Sequence, residues 1–482
     1  MRPGRSLAAA PAALALAACA VGPNYRAPET PPEAAAPFVS ATPRVATAEA
    51  PPANWWRLYD DPTLDRLVQE ALTNNEDLKA AAANLLRASG VLAQARAGLF
   101  PTTELAASDV WGKSGSAALV AALTGGKAEP AWLGAGAFNV SYEVDLFGRI
   151  RRSIEAAKAD AAASAEAENV VRITVAAETA RAYADACAFA AQAATARENT
   201  ELAHEVLDLT RRMRDLGARS DFDVATAAAT LDQSRASIPT FEGEQRAQLY
   251  ELAVLTGRPP SEISAAAAAC TSPPTIMTPL PVGDGAALLR RRPDVRAAER
   301  PLAAATARIG VATADFYPTV SLTGNAASSG SSLKQIASAG SFTYQFGPLI
   351  TWSFPNLLVA RAEVIQAKAE TSAAIAGFNA TVLGALKETE QALTAYDAEL
   401  SRHAALVDNV ADNERAFELA RIQLQNGAIS FPDLITTQRT LELARAQLAA
   451  SDQTLIDDQV AVFQDLGGGW EDAPPVVPHP AP

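Results

Sequence analysis

Hydrophobic and polar positions along this chain change period in a fixed order, and the order is then repeated. From Asp61 to Gly98 apolar residues fall at helical spacing, with Leu64, Leu67, Ala71 and Leu78 on one side. Phe100-Pro101 ends that pattern, because the residue before a proline is driven out of helical conformation. A period of two follows: Phe138, Val140, Tyr142 and Val144 alternate with Asn139, Ser141, Glu143 and Asp145, after a weaker strand near Leu105. In the second half Phe342, Tyr344, Phe346, Ile350, Trp352 and Phe354 share one parity, and Thr343, Gln345, Thr351 and Ser353 hold the other. An earlier strand there sets Val320 and Leu322 against Ser321 and Thr323. Each strand pair precedes an unbroken helical segment, from about Arg149 to Leu216 and from about Val359 to Asn426. At 1.5 Å per residue these are rods of roughly 100 Å, far beyond a globular helix. A second helix then returns from Ser220 toward Thr256, and from Ser430 toward Phe463.

The periodicity is matched by a direct repeat. Leu216-Gly217-Ala218-Arg219-Ser220-Asp221-Phe222-Asp223-Val224 returns as Asn426-Gly427-Ala428-Ile429-Ser430-Phe431-Pro432-Asp433-Leu434, 210 residues later. Upstream the spacing is 217, pairing Phe100-Pro101-Thr102 with Tyr317-Pro318-Thr319, so the length change lies between Leu105 and Lys158, where Gly, Ser and Ala crowd as in a surface loop. Gly217 and Gly427 are placed to end the rods as C′ glycines. Ser220 and Ser430, each three residues before an Asp, read as N-caps with an acidic N3 residue. Two copies are too few for a solenoid and suggest a pseudo-twofold unit. The expected fold is mainly α with a membrane β-barrel, built from two tandem repeats of helix, strand, strand, long helix, helix. The first repeat spans 55–260, with strands at about 100–112 and 134–148. A Pro- and Thr-rich link covers 261–285. The second repeat spans 286–470, with strands at about 316–327 and 341–354, and a Pro-rich tail fills 471–482.

Four alternating strands alone equally fit a soluble, half-buried sheet. Strand lengths of roughly ten residues and the crowding of aromatics favour a bilayer, where such strands cross with aromatic belts. A lipid-facing sheet must close, since an open edge leaves amide groups unsatisfied in hydrocarbon. Four strands are too few, so the barrel must be shared between copies of the chain: two give eight strands, three give twelve.

The N-terminus agrees with export. Residues 1–18 read as a signal peptide, with Arg2 and Arg5 before a short apolar run, and Leu16-Ala17-Ala18-Cys19 resembles a lipoprotein lipobox. Cys19 is the expected acylation site, and a covalent lipid there is the only attached group expected; no cofactor or metal is. Ala20, rather than Asp, after the Cys favours the outer membrane. Residues 19–54 read as a lipid-anchored extended linker. The formal charge of −14 argues against a nucleic-acid partner, which needs clustered Lys and Arg. A disulfide between Cys187 and Cys270 is permitted in an oxidising compartment, but two separate buried thiols are the expectation. His204, His403 and His479 lack metal-ligand spacing, and no nucleophile elbow, phosphate loop or Cys-x-x-Cys is present, so no enzyme is expected.

Several short strings, in their order and spacing, resemble the TolC-like outer-membrane efflux proteins, specifically the lipoprotein (NodT/OprM-type) branch. They are Cys19-Ala20-Val21-Gly22-Pro23-Asn24-Tyr25, Trp55-Trp56-Arg57, Asp145-Leu146-Phe147-Gly148-Arg149, Leu255-Thr256-Gly257-Arg258-Pro259, Arg291-Arg292-Pro293-Asp294-Val295-Arg296 and Leu466-Gly467-Gly468-Gly469-Trp470. The resemblance implies a homotrimer with a twelve-stranded barrel on a helical periplasmic tunnel. It also implies a periplasmic adaptor and an inner-membrane pump of the resistance-nodulation-division type as partners. The implied role is a passive exit channel for drugs or other small molecules. An exit duct for type I protein secretion or for metal ions is the alternative within the family, and a soluble coiled-coil structural lipoprotein or periplasmic adaptor the alternative outside it.

The resemblance further implies a periplasmic aperture formed by the tips after Gly217 and Gly427. Asp221, Asp223, Asp433 and Arg219 are its candidates. Capping by the two tip aspartates is compatible with such a role, and Thr436 stands where several relatives carry a further Asp. Arg219 faces Ile429 in the repeat, which makes the tips chemically unequal. Glu143 and Asp145 share a polar strand face and are expected to line the lumen. As a glycosidase-like acid pair they would lack a pocket.

Overall fold

The computed structural model describes residues 20–29, 36–113 and 115–479, apart from the side chains of Ser116 and Ala117; the signal peptide and Cys19 lie outside these residues. A two-residue strand, β1 (Ala46–Thr47), and a 3-10 turn over Trp55–Tyr59 lead into the first repeat. That repeat comprises α1 (Pro62–Asn74), α2 (Glu76–Ala97), β2 (Thr102–Gly112), α3 (Gly115–Thr124), β3 (Ala131–Val144), α4 (Arg149–Asp215) and α5 (Asp221–Leu255). The link holds α6 (Ala265–Ala268) and β4 (Leu280–Pro281). The second repeat comprises α7 (Gly285–Arg291), α8 (Pro293–Ala314), β5 (Thr319–Gly330), α9 (Leu333–Ile336), β6 (Phe342–Thr351), α10 (Leu358–Gln425) and α11 (Phe431–Asp465).

The chain divides into two compact units. One holds Leu86–Ala163, Glu299–Gly377 and the described residues up to Ala27; the other holds Ser164–Ala298, the described residues between Pro28 and Leu85, and those from Phe378 onward. The long helices α4 and α10 contribute to both.

In the first unit β2, β3, β5 and β6 form one antiparallel sheet in that order. Residues Ala20 to Tyr25 are fastened at the start of α4. The buried Arg152 guanidinium donates to the Val21 carbonyl (3.2 Å), the Gly22 carbonyl (3.3 Å) and Asn24 Oδ1 (2.8 Å), while the Tyr25 hydroxyl donates to Glu299 at 2.6 Å. Burial, followed by the Glu299 carboxylate, raises the Tyr25 pKa above its usual value, so this hydroxyl remains a donor.

The second unit is built on Trp55, Trp56, Tyr59, Leu393, Val460 and Phe463, with the rings of Trp55 and Phe463 stacked at 4.9 Å. Three expectations change here. The apolar run from Asp61 to Gly98 is two helices, because Asn75 accepts the Asp77 and Leu78 amides (2.9 and 3.1 Å) and so starts α2 afresh. Within the stretch read as a lipid-anchored extended linker, residues 38–46 pack: Phe38 and Val45 are buried, the Val39 and Ser40 amides donate to Glu390 (2.8 and 2.9 Å), and Ala46 pairs with Leu280. Cys187 and Cys270 are not separate thiols but a disulfide, their Cα atoms 5.1 Å apart, because the link carrying α6 folds back over α4. The bridge spans a sequence separation of 83. On a chain-entropy account, a loop of that length is worth about 4–5 kcal/mol.

Candidate functional site

Strand pairing makes the sheet two-faced. Leu105 stands opposite Phe138, Trp111 opposite Trp132, Tyr142 opposite Leu322 and Gly324 opposite Phe346, all on one face. Leu105, Tyr344 and Phe346 are each at least 80% exposed, more apolar surface than a sheet facing water leaves uncovered. Aromatic pairs occupy both ends: Trp111 with Trp132 (5.6 Å) and Phe342 with Tyr344 (6.3 Å) at one, Phe147 with Tyr317 (4.4 Å) and Trp352 with Phe354 (4.6 Å) at the other. Strands of 10 to 14 residues suffice to cross hydrocarbon at the usual tilt. No helix among the described residues is long and apolar enough to do so. β2 and β6 are the sheet's edges.

The opposite face is polar, carrying Glu104, Asn139, Ser141, Glu143, Thr323, Asn325 and Gln345. Glu143 is paired with Arg149 by bonds of 3.0 and 2.5 Å, which hold the arginine firmly charged. Asp145 corrects the expectation that it lies in the strand: β3 ends at Val144, and the Asp145 carboxylate accepts the Ile150 and Arg151 amides (3.1 and 3.0 Å) at the free N-terminus of α4. Its role is therefore local, turning strand into helix. The Gly- and Ala-rich surface loop expected after β2 contains α3, since Ala and Leu are strong helix formers.

The helix tips in the second unit form a separate candidate. Gly217 and Gly427 have φ of +74° and +70°, the left-handed geometry of a helix stop. The Gly217 and Ala218 amides donate back to Arg214 and Met213, and those of Gly427 and Ala428 to Leu424 and Gln423, at 2.8–3.0 Å. Ser220 and Asp223 then cap α5 reciprocally: the Ser220 amide donates to Asp223 Oδ2 (3.0 Å) and the Asp223 amide to Ser220 Oγ (3.2 Å). At the second tip the Ser430 amide and hydroxyl both donate to Asp433 Oδ2 (3.0 and 2.5 Å). Those bonds, the hydroxyl's first, hold the Asp433 carboxyl below its usual range.

The two tips are brought together by one apolar cluster that includes Leu207, Leu231, Leu424, Phe431 and Leu434. Arg219, on the first tip, lies over the Phe431 ring of the second at 5.9 Å, and its Nε finds no acceptor among the described residues. Asp221 is engaged by Arg214 at 3.1 Å, while Leu216 and Phe222 stay exposed. Sequence comparison of the repeats marked Arg219, Asp221 and Phe431 as unequal positions; what it missed is that the first and third touch. A cation at 219 against a ring at 431 was the available signal.

A family model described as outer membrane efflux protein matches residues 67–258 and 286–468. Nodulation protein T of Rhizobium leguminosarum bv. viciae is 30% identical over 476 residues, covering 98% of this chain and 95% of that protein. The antibiotic efflux pump outer membrane protein ArpC of Pseudomonas putida is 30% identical over 483 residues, covering 96% and 95%. Among solved structures, the outer-membrane channel OprN superposes with a TM-score of 0.86 at 33% identity, over 94% of this chain and all of that one. The outer membrane protein VceC from Vibrio cholerae gives 0.77 at 26% identity, over 87% and 100%.

Proposed function

The chain belongs to the outer membrane efflux protein family, and from that premise we propose that three copies close a twelve-stranded barrel, anchored by a lipid on Cys19, as the passive exit of a tripartite pump. It is an outer-membrane efflux protein with a periplasmic extension, and it works with a periplasmic adaptor and an inner-membrane pump. The conducted class is drugs or other small molecules, in keeping with the similarity to ArpC, an antibiotic efflux pump protein. ArpC is an efflux pump outer membrane protein and OprN an outer-membrane channel.

The sheet carries this reading. An exposed apolar face backed by a polar one, with β2 and β6 as edges, is one sector of a lipid-facing barrel. Three sectors give twelve strands and two give eight, so assembly size tests the number directly. Detergent-extracted protein is expected to run as a heat-modifiable particle of three chains and to conduct ions in planar bilayers. A two-chain particle would replace the trimer, and a monomer without conductance would overturn the channel.

Glu143 adds no uncompensated charge to the lumen, since Arg149 pairs with it. Asp223 and Asp433 remain aperture candidates alongside their capping bonds. The exposed Leu216 and Phe222 suit apolar adaptor contact at the first tip.

A further inference from the structure

One polar row crosses all four strands of the sheet. Register sets Glu104 opposite Asn139, Asn139 opposite Asn325, and Asn325 opposite Gln345. All four lie on the face away from Phe138, Leu322 and Phe346. Three of them are linked: Asn325 Nδ2 donates to Asn139 Oδ1 at 2.6 Å, and Asn139 Nδ2 reaches Glu104 Oε2 at 3.4 Å. Glu104 is the terminal acceptor and the row's one charge.

The rows on either side are short. Ala106, Ala137, Ala327 and Thr343 flank it on one side; Thr102, Ser141, Thr323 and Gly347 flank it on the other. On the enclosed face of a barrel, long side chains between two rows of short ones reach farthest into the lumen. Glu104 also differs from Glu143 on the same face. The latter is neutralised by Arg149, whereas the side-chain partner of Glu104 is the Asn139 amide. Its neighbours are amides, which orient dipoles toward a permeating ion but cannot cancel a carboxylate.

We propose that the row Glu104, Asn139, Asn325 and Gln345 forms a polar ring lining the barrel lumen, favouring passage of cations and of hydrogen-bonding cationic solutes over anions. This rests on the channel reading above: threefold symmetry brings three copies of the row to one stretch of the pore. Rings of carboxylates select cations because low-dielectric walls focus their field into the lumen.

The test is the reversal potential of the purified full-length protein in planar bilayers under a KCl gradient. Salt is kept near 0.1 M or below, where screening acts over about 10 Å. Wild type is expected to prefer potassium. Glu104→Gln, checked for heat-modifiable assembly, should lower the potassium-to-chloride permeability ratio by about twofold or more, the size expected when one pore-lining charge per subunit is removed. Asn139→Asp adds a carboxylate to the same row and should raise that ratio, so the proposal stays testable even if the first variant assembles poorly. Conducting variants with the wild-type ratio would overturn the proposal and leave the row as a ladder that only ties strands together. A wild type that assembles without conducting would instead defeat the channel reading, and the row's role with it.

Discussion

At the scale of single residues, the second tip rests on Asp433. Its carboxylate collects the Ser430 amide and hydroxyl, and those bonds lower its pKa. A depressed folded-state pKa means that the contribution is fully present above the unfolded value and is lost as pH falls through the folded one. At neutral pH the cap is therefore intact. Asp433→Ala removes the acceptor and the favourable charge at the start of α11, and so loosens the cap. The loosened tip is expected to raise single-channel conductance and the entry of vancomycin into cells. Asp433→Asn keeps an oxygen for Ser430 and should change both readings less. Equal behaviour of Asp433→Ala and wild type in both assays would confine this residue to capping.

At the scale of elements, two glycines that end helices separate backbone conformation from packing. Gly217 and Gly257 have nearly the same φ, +74° and +73°. A Cβ at 217 would meet open space, whereas at 257 it would lie 2.6 Å from the Asn74 carbonyl oxygen, where α1 meets the end of α5. Gly217→Ala is expected to cost only the left-handed backbone term, about 1–2 kcal/mol. Gly257→Ala must also displace backbone, so its loss should exceed that clearly in thermal unfolding of the extracted protein. Matching losses would show that the α1 contact yields freely. The positions of these stops, like the long helices and the strand parity, were legible because they depend on local sequence: a glycine after a polar turn, a serine three residues before an aspartate, a period of two. The Cys187–Cys270 bridge, the Arg152 clasp on residues 21–24 and the Arg219–Phe431 contact were not, because each joins segments whose proximity is decided by the tertiary fold. Asp145 belongs to both classes. Its parity suits the strand, but a carboxylate facing free amides of α4 is held there more strongly. Likewise the polar parity of Asn139 and Gln345 was visible, but their alignment with Glu104 and Asn325 required the register.

At the scale of the whole molecule, one chain is incomplete in a definite way. Its sheet ends in two edge strands and exposes an apolar face that water does not favour, and both defects vanish when copies close a barrel within lipid. The two faces should then respond oppositely to the same charge. Phe346, in the middle of β6 and 80% exposed, faces the lipid in this arrangement. Phe346→Lys is expected to cost about 2–4 kcal/mol per subunit, as a lysine does near the bilayer midplane, and to deplete the heat-modifiable assembly in the outer membrane. Thr323 lies on the opposite face, one register step from the polar row. Thr323→Lys should assemble close to normally, because its ammonium sits in water, yet lower potassium conductance by repulsion. If Phe346→Lys assembled as well as Thr323→Lys, the aromatic face would not be the one that meets lipid, and the barrel would have to be turned inside out or abandoned.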